Sequence, residues 1–197
     1  MKCFADLREL LRFARGFIDD RLSALNKDVA HCLKEPFAPF PAIMFCFSTI
    51  NLFGALYKGD ASKNAKSTIQ SSEYMQKFMH YSKEQSDLLL GIFRHKIVHL
   101  AQPNPYFKIG SRVMSWGYWH NDRTHHLKMT NITPPVEIQV SSSLLVKCDC
   151  RFEISISHFI GDINASVHEP EGYYHKLKKD KKTQEYFDKA IYEIYSG

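Results

Sequence analysis

The stretch DLLLGIFRHKIVHL at residues 87–100 has the spacing of a helix that is apolar almost all the way round. At about 100° per residue, one face holds only large apolar side chains, those of Leu89, Leu90, Phe93, Ile97 and Leu100. The opposite face mixes Leu, Ile and Val with a glycine, Gly91, and with three ionisable groups, Arg94, His95 and His99. Such a helix is normally covered on both sides. The second cover could be strands of this chain, another of its helices, or a second subunit.

A covered position is costly for Arg94 unless the charge is paired. A costly arginine beside two histidines is a candidate functional site. The structural alternative is an ion pair of Arg94 with a carboxylate such as Asp87 or Asp6. For His99 the corresponding alternative is a histidine that caps the end of the helix.

Further helices are predicted on the N-terminal side of this stretch. Residues 3–26 have amphipathic spacing, and residues 41–57 form a second, uncharged helix. A third helical region covers about 71–101, with a capping-box pattern at Ser82-x-x-Gln85 where the helix restarts or bends. Pro103 ends it.

The pattern then changes to that of strands. Residues 107–157 are rich in β-branched and aromatic side chains, and residues 152–156 alternate between apolar and polar. This predicts a small antiparallel sheet placed after the third helical region. From about residue 158 the chain returns to helix, and residues 181–195 form a final amphipathic helix.

Composition points to a cytoplasmic protein. Charges throughout residues 1–26 exclude a signal peptide there, and the uncharged residues 41–57 are better read as a buried core helix than as a membrane span. The five cysteines have no metal-ligand spacing, as expected of reduced structural thiols. The net charge is +5, and residues 176–182 alone supply +4, a pattern more typical of a solvated helix boundary than of a nucleic-acid surface.

The hexamer at residues 94–99, Arg-His-Lys-Ile-Val-His, resembles the signature of the HEPN superfamily: an arginine, a polar residue, three variable residues and a histidine. The uncharged second helix before it, with residues 48–54, is similar to the second helix of that family. The resemblance implies a mainly α fold, an up-and-down helical bundle forming one domain over residues 1–197. Its helical core would cover about 1–105 and 158–197, with a small antiparallel β insertion at about 107–157.

The resemblance also implies a metal-independent endoribonuclease of the toxin or defence-related kind, without a cofactor. In such enzymes a ribose 2′-hydroxyl attacks the neighbouring phosphate and leaves a 2′,3′-cyclic phosphate. Arg94, His99 and His95 would be catalytic, since an arginine can hold two phosphate oxygens and a histidine can transfer a proton near neutral pH. The candidate substrate-binding residues are Asn51, Lys96 and Ser48.

The expected partners are an RNA substrate and a second copy of the chain, because HEPN-like proteins pair their motif helices across a two-fold axis. Gly91 would permit that close approach. An antitoxin is a further candidate partner, although Ala101 stands where some HEPN toxins carry a tyrosine that a cognate antitoxin modifies. The alternative function is a catalytically silent interaction module that binds protein or nucleotide.

A second group of polar residues lies at 120–126, where three histidines and an aspartate offer metal-ligand chemistry. A hairpin tip that gathers polar residues is the preferred interpretation. Trp116, Tyr118 and Trp119 could stack RNA bases, although packing within a sheet explains them as well.

Overall fold

The computed structural model describes residues 3–94 and 103–196. Its N-terminal part is helical, and the last of these helices continues directly into a π-helical turn at Leu90–Arg94. The N-terminal helices are α1 (Leu7–Cys32), α2 (Pro39–Lys58), α3 (Ser67–Phe78) and α4 (Lys83–Leu89). The C-terminal helices are α5 (Ile156–His168), α6 (Tyr173–Lys179) and α7 (Lys181–Ser196).

Local sequence signals account for several helix ends. The predicted capping box at Ser82 and Gln85 is confirmed: each side chain accepts a hydrogen bond from the backbone N–H of the other at the start of α4. Asp6 caps α1 in a similar way by accepting from Glu9 N. Helix α2 begins at Pro39, and Gly59 caps its C-terminal end with a φ of 67°, the left-handed conformation that glycine adopts without strain.

Between the two helical parts lie strands β1 (Phe107–Ile109), β2 (Arg112–Trp119), β3 (Lys128–Ser141) and β4 (Leu144–Ser155). They form one sheet in the order β1-β2-β4-β3. Strands β3 and β4 are an antiparallel hairpin, whereas β2 and β4 run parallel, with Met114 opposite Cys150 and Tyr118 opposite Ile154. The sheet is therefore mixed.

One face of the sheet belongs to the same hydrophobic core as the helices. Phe152 and Ile154 of β4 are buried in a cluster that also holds the core residues of α1, α2 and α5. Trp116 of β2 lies 5.7 Å, ring centre to ring centre, from Phe93 in the π-helical turn, and 6.0 Å from Phe40 in α2. The sheet is thus a layer of the domain and covers one side of the helices.

This architecture corrects the predicted fold class. Of the residues that the structure describes, 59% are helical and 20% lie in strands, an α/β combination with a mixed sheet. The prediction of a mainly helical up-and-down bundle with a small antiparallel insertion is therefore wrong. Alternation along residues 152–156 identified the strand but not its partner. The long-range parallel pairing with β2 places this strand inside the common core.

Helix α2 is the central helix of that core. By length and composition alone it is apolar enough to cross a membrane, and half of its apolar window is buried inside the fold. Its buried residues include Phe47, which contacts Phe159 of α5 at 5.5 Å between ring centres. The same helix brings Asn51 to the candidate site described next.

Candidate functional site

The π-helical turn at Leu90–Arg94 is stabilised by one residue from the other side of residues 95–102. Asn104 donates its backbone N–H to Ile92 O at 3.0 Å and its side-chain Nδ2 to Gly91 O at 2.9 Å. These bonds fasten the connection before β1 to two carbonyl groups of the turn. Asn104 O in turn accepts the indole N–H of Trp116, which ties the turn to β2. Single π-helical turns inside helices are frequent at functional sites.

Arg94 lies at the end of this turn, and each of its three guanidinium nitrogens donates to a neutral side-chain oxygen. Nε donates to Asn51 Oδ1 of α2 at 2.9 Å, and the two terminal nitrogens donate to Thr68 Oγ1 at 2.9 Å and Ser67 Oγ at 2.8 Å at the start of α3. Asn51 Oδ1 also accepts from Ser71 Oγ at 2.6 Å. Two helices, α2 and α3, therefore orient the cation at the end of the π-helical turn. We call Asn51, Ser67, Thr68, Ser71 and Arg94 the Arg94 cluster.

No carboxylate forms an ion pair with Arg94 in the part of the chain that the structure describes. The two acids considered as partners are used elsewhere: Asp87 pairs with Lys83 at 2.6 Å, and Asp6 caps α1. Arg94 is half-buried, and this burial lowers the pKa of its guanidinium. The group stays protonated because its ordinary pKa is far above neutrality. Arg94 thus carries a positive charge that no acidic side chain among the described residues neutralises. Such a charge favours an anion as ligand.

The start of α3 adds to this electrostatic preference. Ser67 and Thr68 are the first two residues of α3, and Lys66 at the N-cap forms no side-chain capping bond. The first backbone N–H groups of a helix lack intrahelical acceptors and attract negative charge. The guanidinium and this helix end therefore act on an anion in the same sense.

A glycine in α2 allows the two helices of the cluster to meet closely. A Cβ added at Gly54 would lie 2.9 Å from Gln70 C and 3.1 Å from Ser71 N, both backbone atoms of α3. Since backbone cannot swing aside as a flexible side chain can, any larger residue would separate α2 from α3. Gly54 thus sets the distance between Asn51 and the side chains of α3 that hold Arg94.

The structure brings together some of the predicted site residues. Arg94 and Asn51 are in direct contact, whereas Ser48 is exposed on α2 and its side chain forms no hydrogen bond with the described residues. His95, Lys96 and His99 lie outside the described residues. Sequence reasoning missed Ser67, Thr68, Ser71 and Asn104, because single hydroxyl and amide side chains carry no spacing signal. One cue was available: Asn104 stands between two prolines, where its own backbone cannot continue a helix.

Gly91 has a different neighbour from the one expected. A Cβ at this position would overlap the ring of Phe107 in β1, so the space beside Gly91 is filled by the chain's own sheet. The sheet supplies at least part of the second cover of the segment, and Gly91 itself lends no support to a contact with a second subunit.

The structure also shows the surroundings of the polar residues at 120–126. The ring of His126 donates from Nε2 to Asp162 at 3.0 Å and accepts Ser155 N at Nδ1 at 3.3 Å, and Tyr81 donates to the same carboxylate at 2.7 Å. Burial raises the pKa of Asp162, but the hydrogen bonds from His126 and Tyr81 outweigh it and leave the pKa below its ordinary value. This network fastens the loop after β2 to α5 and to the connection between α3 and α4.

His125 belongs to a different group, on the sheet face away from the helices. Its Nδ1 lies 3.0 Å from Glu153 Oε2, and its ring stacks on Trp119 at 4.2 Å between centres. Among residues 3–94 and 103–196, no three metal-ligating side chains come together as a metal ion would require.

Comparison of the sequence with protein-family models, with curated proteins and with solved structures gave no significant match.

Proposed function

We propose that the chain is a metal-independent endoribonuclease of the HEPN type, toxin or defence-related, acting in the cytoplasm. The observation that carries the proposal is the state of Arg94: a half-buried cation, held by three neutral oxygens, with no carboxylate partner among the described residues. A guanidinium has five N–H donors, and the described contacts use three of them. The remaining donors suit a phosphate group, which an arginine can hold with two parallel hydrogen bonds.

In the proposed reaction the ribose 2′-oxygen attacks the adjacent phosphorus, and the 5′-oxygen of the next nucleotide leaves. The products are a 2′,3′-cyclic phosphate and a free 5′-hydroxyl. Arg94 and the start of α3 stabilise the extra negative charge on the phosphorus oxygens in the transition state. His99, together with His95 four residues before it, is assigned the proton transfers on the strength of the hexamer alone.

A homodimer is part of this proposal, because one chain carries a single motif and the reaction needs both a proton acceptor and a proton donor. Two motifs across a two-fold axis would supply both. Sedimentation of the purified protein tests this directly, and a monomer at enzymatic concentrations would contradict it. An antitoxin is proposed as a further partner only in the toxin version.

The test is cleavage of a structured RNA in EDTA by the wild type, Arg94→Ala and His99→Ala, each shown by circular dichroism to be folded. The expected result is cleavage by the wild type alone, with 2′,3′-cyclic ends that resist alkaline phosphatase until acid opens them. Cleavage that survives in both variants would contradict the proposal, as would 3′-hydroxyl ends.

One observation favours a second candidate, a catalytically silent module that binds protein or nucleotide. The bonds of Arg94 join the π-helical turn to α2 and α3, which is also what a purely structural arginine does. In that case Arg94→Ala lowers thermal stability and no RNA is cleaved by any form of the protein.

A further inference from the structure

The sheet face that points away from the helices carries a small cavity beside one exposed aromatic ring. Trp119, at the end of β2, is 41% exposed, whereas the ring of the preceding Tyr118 lies on the other face, 6.1 Å from that of Phe40 in α2. The cavity measures about 220 Å³ and is lined by Trp116, Gly117, Tyr118, Trp119, Arg151 and Glu153. This volume is below the ~300–1,000 Å³ typical of pockets for drug-sized ligands, so a single planar ring is a better fit than an extended molecule.

Glu153 forms the polar end of the cavity. Its Oε1 accepts the indole N–H of Trp119 at 3.0 Å, and its Oε2 lies 3.0 Å from Nδ1 of His125. Burial raises the pKa of Glu153, but the bonds from His125 and Trp119 outweigh it and hold the pKa below its ordinary value, so the side chain is a carboxylate at neutral pH. A carboxylate only accepts hydrogen bonds, and each oxygen can accept more than one. Its ligand must therefore present donors.

Arg151 and Gly117 shape the open side. A Cβ added at Gly117 would lie 3.1 Å from Nε of Arg151, so the absence of a side chain there lets the guanidinium lie across β2. Its Nε is 3.8 Å from Glu153 Oε1, and the side chain remains about half exposed. An exposed arginine next to an exposed indole is the combination that holds the phosphate and the base of one nucleotide.

We propose that this cavity binds one unpaired guanine of an RNA strand, with the base on Trp119, its Watson–Crick edge on Glu153, and the backbone phosphate beside Arg151. Guanine is the nucleobase whose Watson–Crick edge presents two adjacent donors, the N1–H and the 2-amino group, to the two oxygens of a carboxylate. Adenine and cytosine each place an acceptor beside their amino group, and uracil flanks one N–H with two acceptors. Taking RNA as the ligand rests on the proposed function, whereas the selection of guanine follows from the cavity.

The experiment is fluorescence anisotropy with fluorescein-labelled 2′-O-methyl hexanucleotides, UUUGUU and its counterparts with A, C or U at the fourth position. The 2′-O-methyl groups remove the attacking hydroxyl, so binding is measured whether or not the protein cleaves RNA. The expected result is at least about tenfold tighter binding of the guanine oligonucleotide, since a hydrogen bond to a charged group is worth that factor or more.

Two variants and a control locate the binding. Trp119→Ala should weaken all four oligonucleotides by about fivefold or more, because stacking does not depend on the identity of the base. Glu153→Gln should remove the preference for guanine and leave the other three affinities near those of wild type. Tyr195→Ala, which removes another exposed aromatic ring (67% exposed) at the end of α7, should change nothing.

A change in the oligonucleotide tests the same contact if the Glu153→Gln protein does not fold. Inosine in place of guanosine lacks the 2-amino group and should bind the wild-type protein more weakly than guanosine. Arg94→Gln should lower the four affinities equally and preserve the guanine preference, which separates this cavity from the Arg94 cluster. Equal wild-type affinities for all four bases, equal binding of inosine and guanosine, or an unchanged Trp119→Ala protein would each overturn the proposal.

Discussion

Asn51 and Arg94 are joined by a 2.9 Å hydrogen bond although 43 residues separate them in the chain. Asn51 Oδ1 accepts this bond together with one from Ser71, so the amide oxygen receives two donors and holds the guanidinium in one orientation. The amide of Asn51 carries no charge. The full charge of Arg94 is therefore left for a ligand, and this distinguishes the arrangement from a structural ion pair.

Replacing Asn51 by the isosteric aspartate tests that distinction. Asn51→Asp keeps both accepted hydrogen bonds and places a carboxylate on Arg94, so the free energy of unfolding should stay equal or rise by about 1 kcal/mol. Cleavage should fall by about tenfold or more, since the new charge competes with phosphate for the guanidinium. Chemical denaturation and single-turnover cleavage measure the two effects. A fully active Asn51→Asp protein would show that Arg94 does not hold the phosphate.

Arg94→Lys preserves the positive charge but loses the planar arrangement of N–H donors that the guanidinium has. A lysine ammonium cannot reach Asn51, Ser67 and Thr68 together and still offer paired donors to phosphate. Cleavage should fall by about 100-fold or more, in the range lost when an oxyanion-stabilising donor is removed. The measurement is the rate constant at saturating RNA, with the salt dependence of binding as control, because the positive charge persists. If the lysine variant cleaves at the wild-type rate, a point charge is enough and the observed geometry is irrelevant to the reaction.

Gly54 offers a test of the helix spacing without touching a polar group. Gly54→Ala places a methyl group against the backbone of Gln70, and relief requires a shift of α3. The expected loss is about 1–3 kcal/mol in the free energy of unfolding, together with reduced cleavage. Gly16→Ala is the matched control: nothing lies within 4 Å of the added Cβ, and alanine is the better helix former, so this variant should gain about 0.5–1 kcal/mol. Equal stability of the two variants would contradict the close approach of α2 and α3.

The depressed pKa of Asp162 predicts how the free energy of unfolding responds to acid. Its pKa is depressed in the folded protein, so its contribution to stability is present above the ordinary value of 3.8 and is lost as the pH falls below it. Asp162→Asn should lower the free energy of unfolding at pH 7 by about 1–3 kcal/mol, because the bonds from His126 and Tyr81 lose their charged acceptor. Between about pH 4 and pH 2 the variant should lose less stability than wild type. Urea denaturation across that range measures the difference, and parallel pH profiles would exclude the role of Asp162.

Local patterns were sufficient for the helices and insufficient for the sheet. The capping box at Ser82 and the final amphipathic helix could both be predicted, since each depends on residues within a few positions of one another. Residues 107–157 were predicted to form a small antiparallel sheet, whereas β2 and β4 pair in parallel. Strand pairing is decided by contacts between distant residues, and period-2 alternation identifies a strand without naming its neighbour.

The same difference between local sequence patterns and long-range contacts applies to the candidate site. Arg94 and Asn51 could be singled out because a charged residue and an amide are unusual within long apolar stretches. Ser67, Thr68 and Asn104 are ordinary polar residues in sequence, and only the close packing of α2 against α3 and the π-helical turn give them a role. The roles of His95, Lys96, His99 and Ser48 stay predictions, as does the homodimer.

The bond from Ala61 N to Glu193 Oε2, at 2.7 Å, ties the connection before α3 to the last helix. Tyr186 of the same helix packs against Gly59 at the end of α2. During translation, a nascent chain that has already emerged past Arg94 still lacks the segment that fastens α2 and α3 at this corner. This corner is thus completed only after α7 has been synthesised. Ribosome-stalled chains ending at residue 180 should remain sensitive to protease near residue 60, and chains carrying α7 beyond the exit tunnel should be protected there.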